Sequence, residues 1–243
     1  MDSENPNIVK LSMEHSDIVY EYMKTEFAPD EPLLRTCDGM NGTSFSDKMV
    51  QAELREKFIN KGLQTGDCFG IFDNDKNLIG VRLGFISDKQ NLPWEPRITW
   101  ILSLPRFMTS KKFRRILHVQ KFSEELEYKL VNGFDQCQNN NGKIYFCMAL
   151  GVARKYRGQG IGGKLLKRSI EHAKERGCSH MYAMATGKYS QKIFHNYGFE
   201  VIKEKNYDSY YDEDGNIVIQ DEIHKSAQTL ALKIDYGDRE QDW

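Results

Sequence analysis

The sequence lacks any stretch long and apolar enough for a membrane helix. Its longest nearly apolar run, Tyr145 to Ala153, falls far short of the roughly 20 residues such a helix needs. The start, MDSENPNIVK, has neither the basic segment nor the apolar stretch of a secretory signal. An excess of one charge is missing too: 34 Lys+Arg face 35 Asp+Glu, for a formal net charge of −1. That balance excludes a protein that holds nucleic acid by wholesale neutralisation of phosphates. Cysteine is sparse and unpaired. The five residues, Cys37, Cys68, Cys137, Cys147 and Cys178, are odd in number and contain no C-x-x-C, which fits neither a disulfide framework nor a zinc site. The six histidines show no H-E-x-x-H spacing, so no metal is expected. These absences leave a soluble, cytoplasmic protein with reduced thiols. Its 243 residues are read as one domain over 1–243 with no membrane or nucleic-acid partner, acting as a monomer.

What is present is an ordinary globular composition, 40% hydrophobic and 28% charged, arranged in helix and strand periods. Ser12 can cap a helix whose stripe is Ile18, Val19, Tyr22, Met23 and Phe27. Pro29 and Pro32 then argue against helix and predict a loop. Ser46 can cap a second helix carrying Met49, Val50, Leu54, Phe58 and Ile59, ended by Gly62. Cys68 to Phe72 and Leu78 to Ile86 flank a turn at Asp73-Asn74-Asp75-Lys76-Asn77 and read as an antiparallel hairpin. Thr109 to about Val131 is helical in period, with Phe113, Ile116, Leu117, Leu126 and Leu130 inward. The segment from Pro93 to Phe107, with Trp94 and Trp100, receives no assignment.

The second half reads more clearly. Ile144 to Ala153 is a strand, Gly160 to Arg176 an amphipathic helix, His180 to Ala185 a strand, and Tyr189 to Tyr197 a short helix stopped by Gly198. Phe199 to Tyr207 and Gln228 to Ile234 are strands with a turn at Asp214-Gly215-Asn216 between them. Strand and helix alternation after an antiparallel first half predicts an α/β sandwich around a mixed sheet.

Between the strand at 144 and the helix at 160 lies Arg157-Gly158-Gln159-Gly160-Ile161-Gly162-Gly163. Glycines there let a backbone approach an anion, and the free N–H groups of a helix start point at it. The surrounding Arg154, Lys155, Arg157, Lys164, Lys167 and Arg168 favour the same negative charge, so a diphosphate is the natural guest. A dinucleotide fingerprint is formally satisfied by Gly158, Gly160 and Gly163. It also wants an acidic residue closing the next strand, and His180 to Thr186 ends without one. A phosphate-binding P-loop is excluded because no Lys-Ser or Lys-Thr follows at the required spacing. A plain strand-to-helix connection stays open for the glycines taken alone.

Arg157-x-x-Gly160-x-Gly162, with Leu150-x-Val152 before it and Tyr197-Gly198-Phe199 after, resembles motifs A and B of the GNAT acetyltransferases. Phe27-Ala28-Pro29-Asp30-Glu31-Pro32-Leu33 is similar to the F-x-x-D-E-P-L segment of the invertebrate arylalkylamine N-acetyltransferases. Lys112-Phe113-Arg114-Arg115-Ile116, Phe134-Asp135, Tyr189-Ser190, Tyr207, Tyr210 and Asp214-Gly215 continue that likeness in order. It covers roughly residues 6 to 234. The resemblance implies a GNAT fold, α/β with a mixed central sheet and helices on both faces. Residues 1–143 would form the amine side and 144–234 the acetyl-CoA-binding core. Acetyl-CoA would rest on Leu150, Gly151, Val152, Arg157, Gly158, Gln159, Gly160, Ile161, Gly162 and Gly163. Glu31 would be the general base, with Ser190 a second catalytic candidate and Asp30 holding a water or the loop. A carboxylate suits that role because an amine that is mostly ammonium cannot attack a thioester until it loses a proton.

The sequence departs from the pattern at three places. Phe194 stands where many GNAT enzymes carry a tyrosine that protonates the leaving thiolate, a residue the arylalkylamine members also generally lack. Gly151 stands where insect members usually have serine, so any hydroxyl role must move elsewhere. Ala153-Arg154 replaces the usual Asp or His before Pro or Thr. Cys147 invites an acetyl-enzyme, but it has no histidine partner in local sequence. The expected activity is transfer of acetyl from acetyl-CoA to the primary amine of serotonin, dopamine, tyramine or octopamine, by direct attack in a ternary complex. A polyamine or amino-acid acceptor, or a catalytically weak CoA-binding protein, are the alternatives.

Overall fold

The computed structural model describes residues 8–38, 54–87, 111–133 and 142–236. Ser46, Met49, Val50, the 93–107 segment with its two tryptophans, and Phe134-Asp135 lie outside them. Seven strands form one sheet: β1 (Ile8–Leu11), β2 (Cys68–Phe72), β3 (Leu78–Ser87), β4 (Ile144–Val152), β5 (His180–Ala185), β6 (Glu200–Asn206) and β7 (Ser226–Lys233). Their order is β1-β2-β3-β4-β5-β7-β6. Every pairing is antiparallel except β4 with β5. That parallel pair is joined by a helical crossover, as parallel neighbours require. The helices are α1 (Ser16–Tyr22), α2 (Pro32–Asp38), α3 (Lys61–Thr65), α4 (Lys111–Gly133), α5 (Ile161–Glu175) and α6 (Lys188–Asn196). π-Helical turns at Met23–Phe27 and Leu54–Asn60 adjoin α1 and α3.

Alternation along the strands divides the core between the two faces. On one face Val81, Leu83 and Ala149 pack with Val19, Tyr22, Met23 and Leu63. On the other, Ile161 and Leu165 of α5 cover Phe69, Ile71 and Ile79, while Leu166 and Ala173 meet Tyr145, Met181 and Leu230. A third cluster joins Leu33 of α2 to Val119, Phe122 and Leu126 of α4 and to Tyr207. The sandwich and mixed sheet expected from the sequence are present.

Two helix boundaries differ from the expectation. Pro32 does not break helix; it opens α2, because the first helical position needs no N–H and proline's fixed φ suits it. Gly62 does not end α3. It lies inside the helix, where a Cβ would come within 2.9 Å of Cys68 Sγ and 3.1 Å of the Gly84 carbonyl, and Gly66 supplies the left-handed end at φ +69°.

One irregularity positions the site. Leu83 pairs with Ala149 and Gly84 with Cys147, so Met148 is the extra residue of a bulge, which bends and twists its strand. Arg82, fully buried, donates to the carbonyls of Leu83 and, at 3.0 Å, Ala149. Beyond the bulge β4 leaves β5. Their pairing ends at Cys147↔Ala183, while β4 runs on to Val152. Among the described residues no helix is long and apolar enough to cross a membrane, and no group of three or more His, Cys, Asp or Glu could hold a metal ion.

Candidate active site

From Met148 to Val152 the β5-facing edge of β4 has no strand partner among the described residues. The chain then turns through Arg154–Tyr156 into α5. Gly158 and Gly160 hold φ +78° and +77°, and a Cβ at either position would meet nothing within 4 Å. Glycine is needed there for conformation, and the space beside it is open. Gly160 places no side-chain cap on α5, and the first α-helical bond at this end runs from Lys164 to Gly160. The N–H groups of Ile161, Gly162 and Gly163 therefore stay without intrahelical partners, as at any helix start. An extended polar chain ending in a diphosphate fits this combination of free strand edge and open helix terminus. Gly162 and Gly163 have a different reason. A Cβ at 162 would lie 2.9 Å from Ile193 and one at 163 would lie 3.2 Å from the Tyr197 hydroxyl, so both let α5 and α6 pack closely.

The basic residues of the turn do not all face outward as expected. Asp30 accepts from Arg154 at 3.0 and 2.6 Å and pairs with Arg157 at 2.6 Å. Those guanidinium donors hold the Asp30 carboxyl below the usual aspartate range. Arg157 also donates to the Val152 carbonyl at 2.9 Å, and the Arg154 N–H donates to Glu26 at 2.9 Å. Arg168 turns away to Glu175 at 3.0 Å and lies over Phe69. Asp30 thus staples the loop before α2 to the glycine turn.

Glu31, its neighbour, begins α2. Its Oε2 accepts the Leu34 N–H at 2.6 Å, the N3 bond of an N-terminal cap. Its Oε1 is buried without a hydrogen-bond partner among the described residues. Burial drives the carboxyl above the ordinary glutamate range; the Thr186 hydroxyl and the Leu34 and Leu33 N–H groups oppose that rise, and the Asp221 charge adds to it.

Around Glu31 the fold assembles Tyr207, already part of the family likeness, with residues that the sequence reading did not mark for the site. Tyr207, buried, donates to the Thr186 carbonyl at 2.5 Å. Asp221 accepts from Arg35 at 3.0 Å and from the N–H groups of Ile223 and His224 at 2.9 and 2.8 Å. His224 accepts the Lys188 N–H on Nδ1 at 3.2 Å, which leaves the proton of a neutral ring on Nε2, and burial lowers its pKa. Thr186 is visible in sequence only as the residue closing a strand, and nothing local singles out Asp221 or His224.

The remaining candidates fall as follows. Ser190 Oγ donates to the Gly187 carbonyl at 2.8 Å in the first turn of α6. Phe194 is buried edge-on against Phe199. Cys147 is buried, and its thiol is pushed up to about 11, unlike a poised nucleophile. At Gly151 a Cβ would meet Phe27 and the Tyr22 hydroxyl, each at 3.1 Å.

Known proteins share this fold. Residues 126–199 match the acetyltransferase (GNAT) family. The structure of arylalkylamine N-acetyltransferase 2 from Aedes aegypti superposes with a TM-score of 0.76 at 25% identity, covering 96% of this chain and all of that one. A polyamine N-acetyltransferase from Drosophila melanogaster that forms N-acetylagmatine gives 0.66 at 20% identity, over 93% of this chain and 100% of that one. An agmatine N-acetyltransferase gives 0.67 at 19% identity, over 93% and 98%. The chain carries an acetyltransferase domain of the GNAT family, on the fold shared with the insect arylalkylamine N-acetyltransferases.

Proposed function

We propose that this acetyltransferase moves acetyl from acetyl-CoA to the primary amine of an arylalkylamine, with Glu31 as general base. The observation that carries the reading is the Glu31 carboxyl itself. One oxygen is fixed by the α2 N-terminus and the other is buried and unpartnered among the described residues, in a loop that Asp30 ties to the turn at the end of β4. An amine entering beside it meets a fixed acceptor for its proton. Raised affinity for that proton brings the carboxylate nearer the amine's own proton affinity, which favours transfer.

Acetyl-CoA supplies the acetyl group as a thioester. The free edge of β4 at Leu150, Gly151 and Val152 would hold its extended arm. The turn from Arg157 through Gly158, Gln159 and Gly160, with the Ile161, Gly162 and Gly163 N–H groups, would hold its diphosphate. Backbone N–H groups around a departing thiolate would give it electrostatic help that needs no acid at Phe194. Amine attack is direct, and Ser190 holds the first turn of α6. Residues 1–143 act as the amine side of one unit whose 144–234 core holds the co-substrate.

An aromatic acceptor is supported by the likeness at 25% identity over nearly the whole chain. Agmatine or a polyamine calls for a second anion, and Asp221, which acts on Glu31, is already paired with Arg35. A panel of amines assayed by CoA-thiol release tests the choice. Saturation by tryptamine- and phenylethylamine-type substrates is expected. Saturation by agmatine or spermidine with indifference to aryl-ethylamines would overturn it.

A further inference from the structure

The Tyr22 side chain closes α1 one π-turn before the Glu31 loop. The residue is 4% exposed, and its hydroxyl is buried without a hydrogen-bond partner among the described residues. Burying a hydroxyl unpaired is costly, so native structures seldom leave one without a reason. The hydroxyl lies where a side chain at 151 would begin: a Cβ there would come 3.1 Å from the Tyr22 oxygen and 3.3 Å from its Cε1. Glycine at 151 is what lets the hydroxyl approach β4, in the stretch where that strand has lost its β5 partner. Glu26 and, with the opposite sign, Arg157 of the glycine turn lie close enough to act on it electrostatically. Burial, the larger influence, raises its ionisation far above the ordinary tyrosine range, so it is a neutral donor throughout the working range of pH.

We infer that the Tyr22 hydroxyl, seated against Gly151, donates a hydrogen bond to a carbonyl oxygen of the acyl-pantetheine chain bound along β4. This rests on β4 being the acetyl-CoA strand. The hydroxyl that position 151 cannot supply is brought instead from α1. Tyr22 thereby becomes a ligand-binding residue on the same short segment as the base, so one stretch of chain contacts both substrates. Phe27 also borders Gly151, from the π-turn.

The test is Tyr22→Phe, which keeps the ring and removes one oxygen. Titration calorimetry with acetyl-CoA is expected to show roughly a tenfold loss of affinity, the size of one good buried hydrogen bond. The unfolding temperature of the free chain should stay level or rise, since no partner is lost without ligand. Gly151→Ala, which crowds the hydroxyl, should weaken acetyl-CoA in the same sense. A loss shared by CoA assigns the bond to a pantetheine amide carbonyl; a loss confined to acetyl-CoA assigns it to the thioester carbonyl. Wild-type affinity in Tyr22→Phe overturns the inference while leaving the β4 assignment intact. A wild-type chain that binds no acetyl-CoA overturns both.

Discussion

Glu31 and Asp67 are both carboxyls withdrawn from water, in regions that treat them in opposite ways. Asp67, at the entry to β2, accepts His172 Nε2 at 2.8 Å and the Ile86 N–H at 3.0 Å, with Arg176 at 3.4 Å. Although burial alone would raise its pKa, these donors together with the Thr65 hydroxyl hold it below the usual aspartate range. At Glu31 one oxygen takes the Leu34 N–H at 2.6 Å and Oε1 has no partner among the described residues; the Thr186 hydroxyl and the Leu33 N–H also favour the charged form, yet burial prevails. A carboxylate satisfied on both oxygens joins α5 to the sheet and does nothing more. One with an oxygen unpartnered among the described residues, and raised by burial, has proton affinity to use. Both groups are buried, and the difference lies in the donors: Asp67 has the Arg176 guanidinium and His172 beside it, whereas those at Glu31 are neutral.

Glu31→Gln attacks one side of that contrast and has the largest expected effect. Glutamine keeps an oxygen for the Leu34 N–H but cannot take a proton. Steady-state assays should show kcat/KM for the amine falling about 10²–10³-fold, within the range general bases contribute, with acetyl-CoA affinity unchanged. In the wild type, kcat/KM should rise with pH through a value above the ordinary glutamate range. A variant that keeps this acidic limb would assign the base elsewhere.

Asp67→Ala breaks the other side. Removing one member of a buried pair leaves its partners uncompensated, so denaturant unfolding should show a loss of about 3 kcal/mol. Acetyl-CoA affinity of the folded variant should hold.

The signs of their pH dependence differ as well. Asp67 is held low, so its stabilisation is complete above the ordinary aspartate range and is lost as pH falls through its depressed value. Glu31 is held high, so its carboxyl favours the folded chain while protonated, below the ordinary glutamate range. That contribution is lost as pH rises through its raised value. Unfolding temperature measured against pH should therefore have a shallower acid-side slope in Asp67→Ala, whereas Glu31→Gln should be relatively more stable than wild type above the Glu31 pKa.

Asp30→Asn sharpens the comparison with the smallest effect. Asp30 is a carboxylate that meets its arginines near solvent, where ion pairs contribute at most about 1 kcal/mol. Thermal unfolding should shift by no more than a few degrees. A few-fold fall in kcat/KM, from a loop less firmly tied to the turn, is the expected kinetic result. A loss as deep as that of Glu31→Gln would move the base to Asp30.

The elements of the second half are legible in sequence because their signals are local. Gly177 and Gly198 hold φ +74° and +82° at the ends of their helices, and glycine is the residue that takes such a conformation without strain. The hairpin at 73–77 is legible for a similar reason: Asp73 accepts the N–H groups of Asp75 and Asn77 at 3.0 and 2.8 Å, a bond pattern written in the turn residues. Pro32 misleads because proline excludes the interior of a helix but suits its first position. Which of the two applies depends on whether Leu33 and Leu34 find a surface to pack on, and α4 and the sheet provide it.

By itself the sequence determined the strand–turn–helix of the co-substrate side, the α/β class, and the candidacy of Glu31, since each rests on residues near one another in the chain. Only the tertiary structure decided which charges stay available. Asp30 and the arginines at 154 and 157 are more than 120 positions apart, and folding spends their charges on one another. It also decided that Glu31 Oε1 is buried without a partner among the described residues, that Asp221 is claimed by Arg35, and that Tyr22 reaches Gly151. Burial and pairing are properties of neighbours in space, so the chemistry of a carboxyl or a hydroxyl is fixed when distant segments meet.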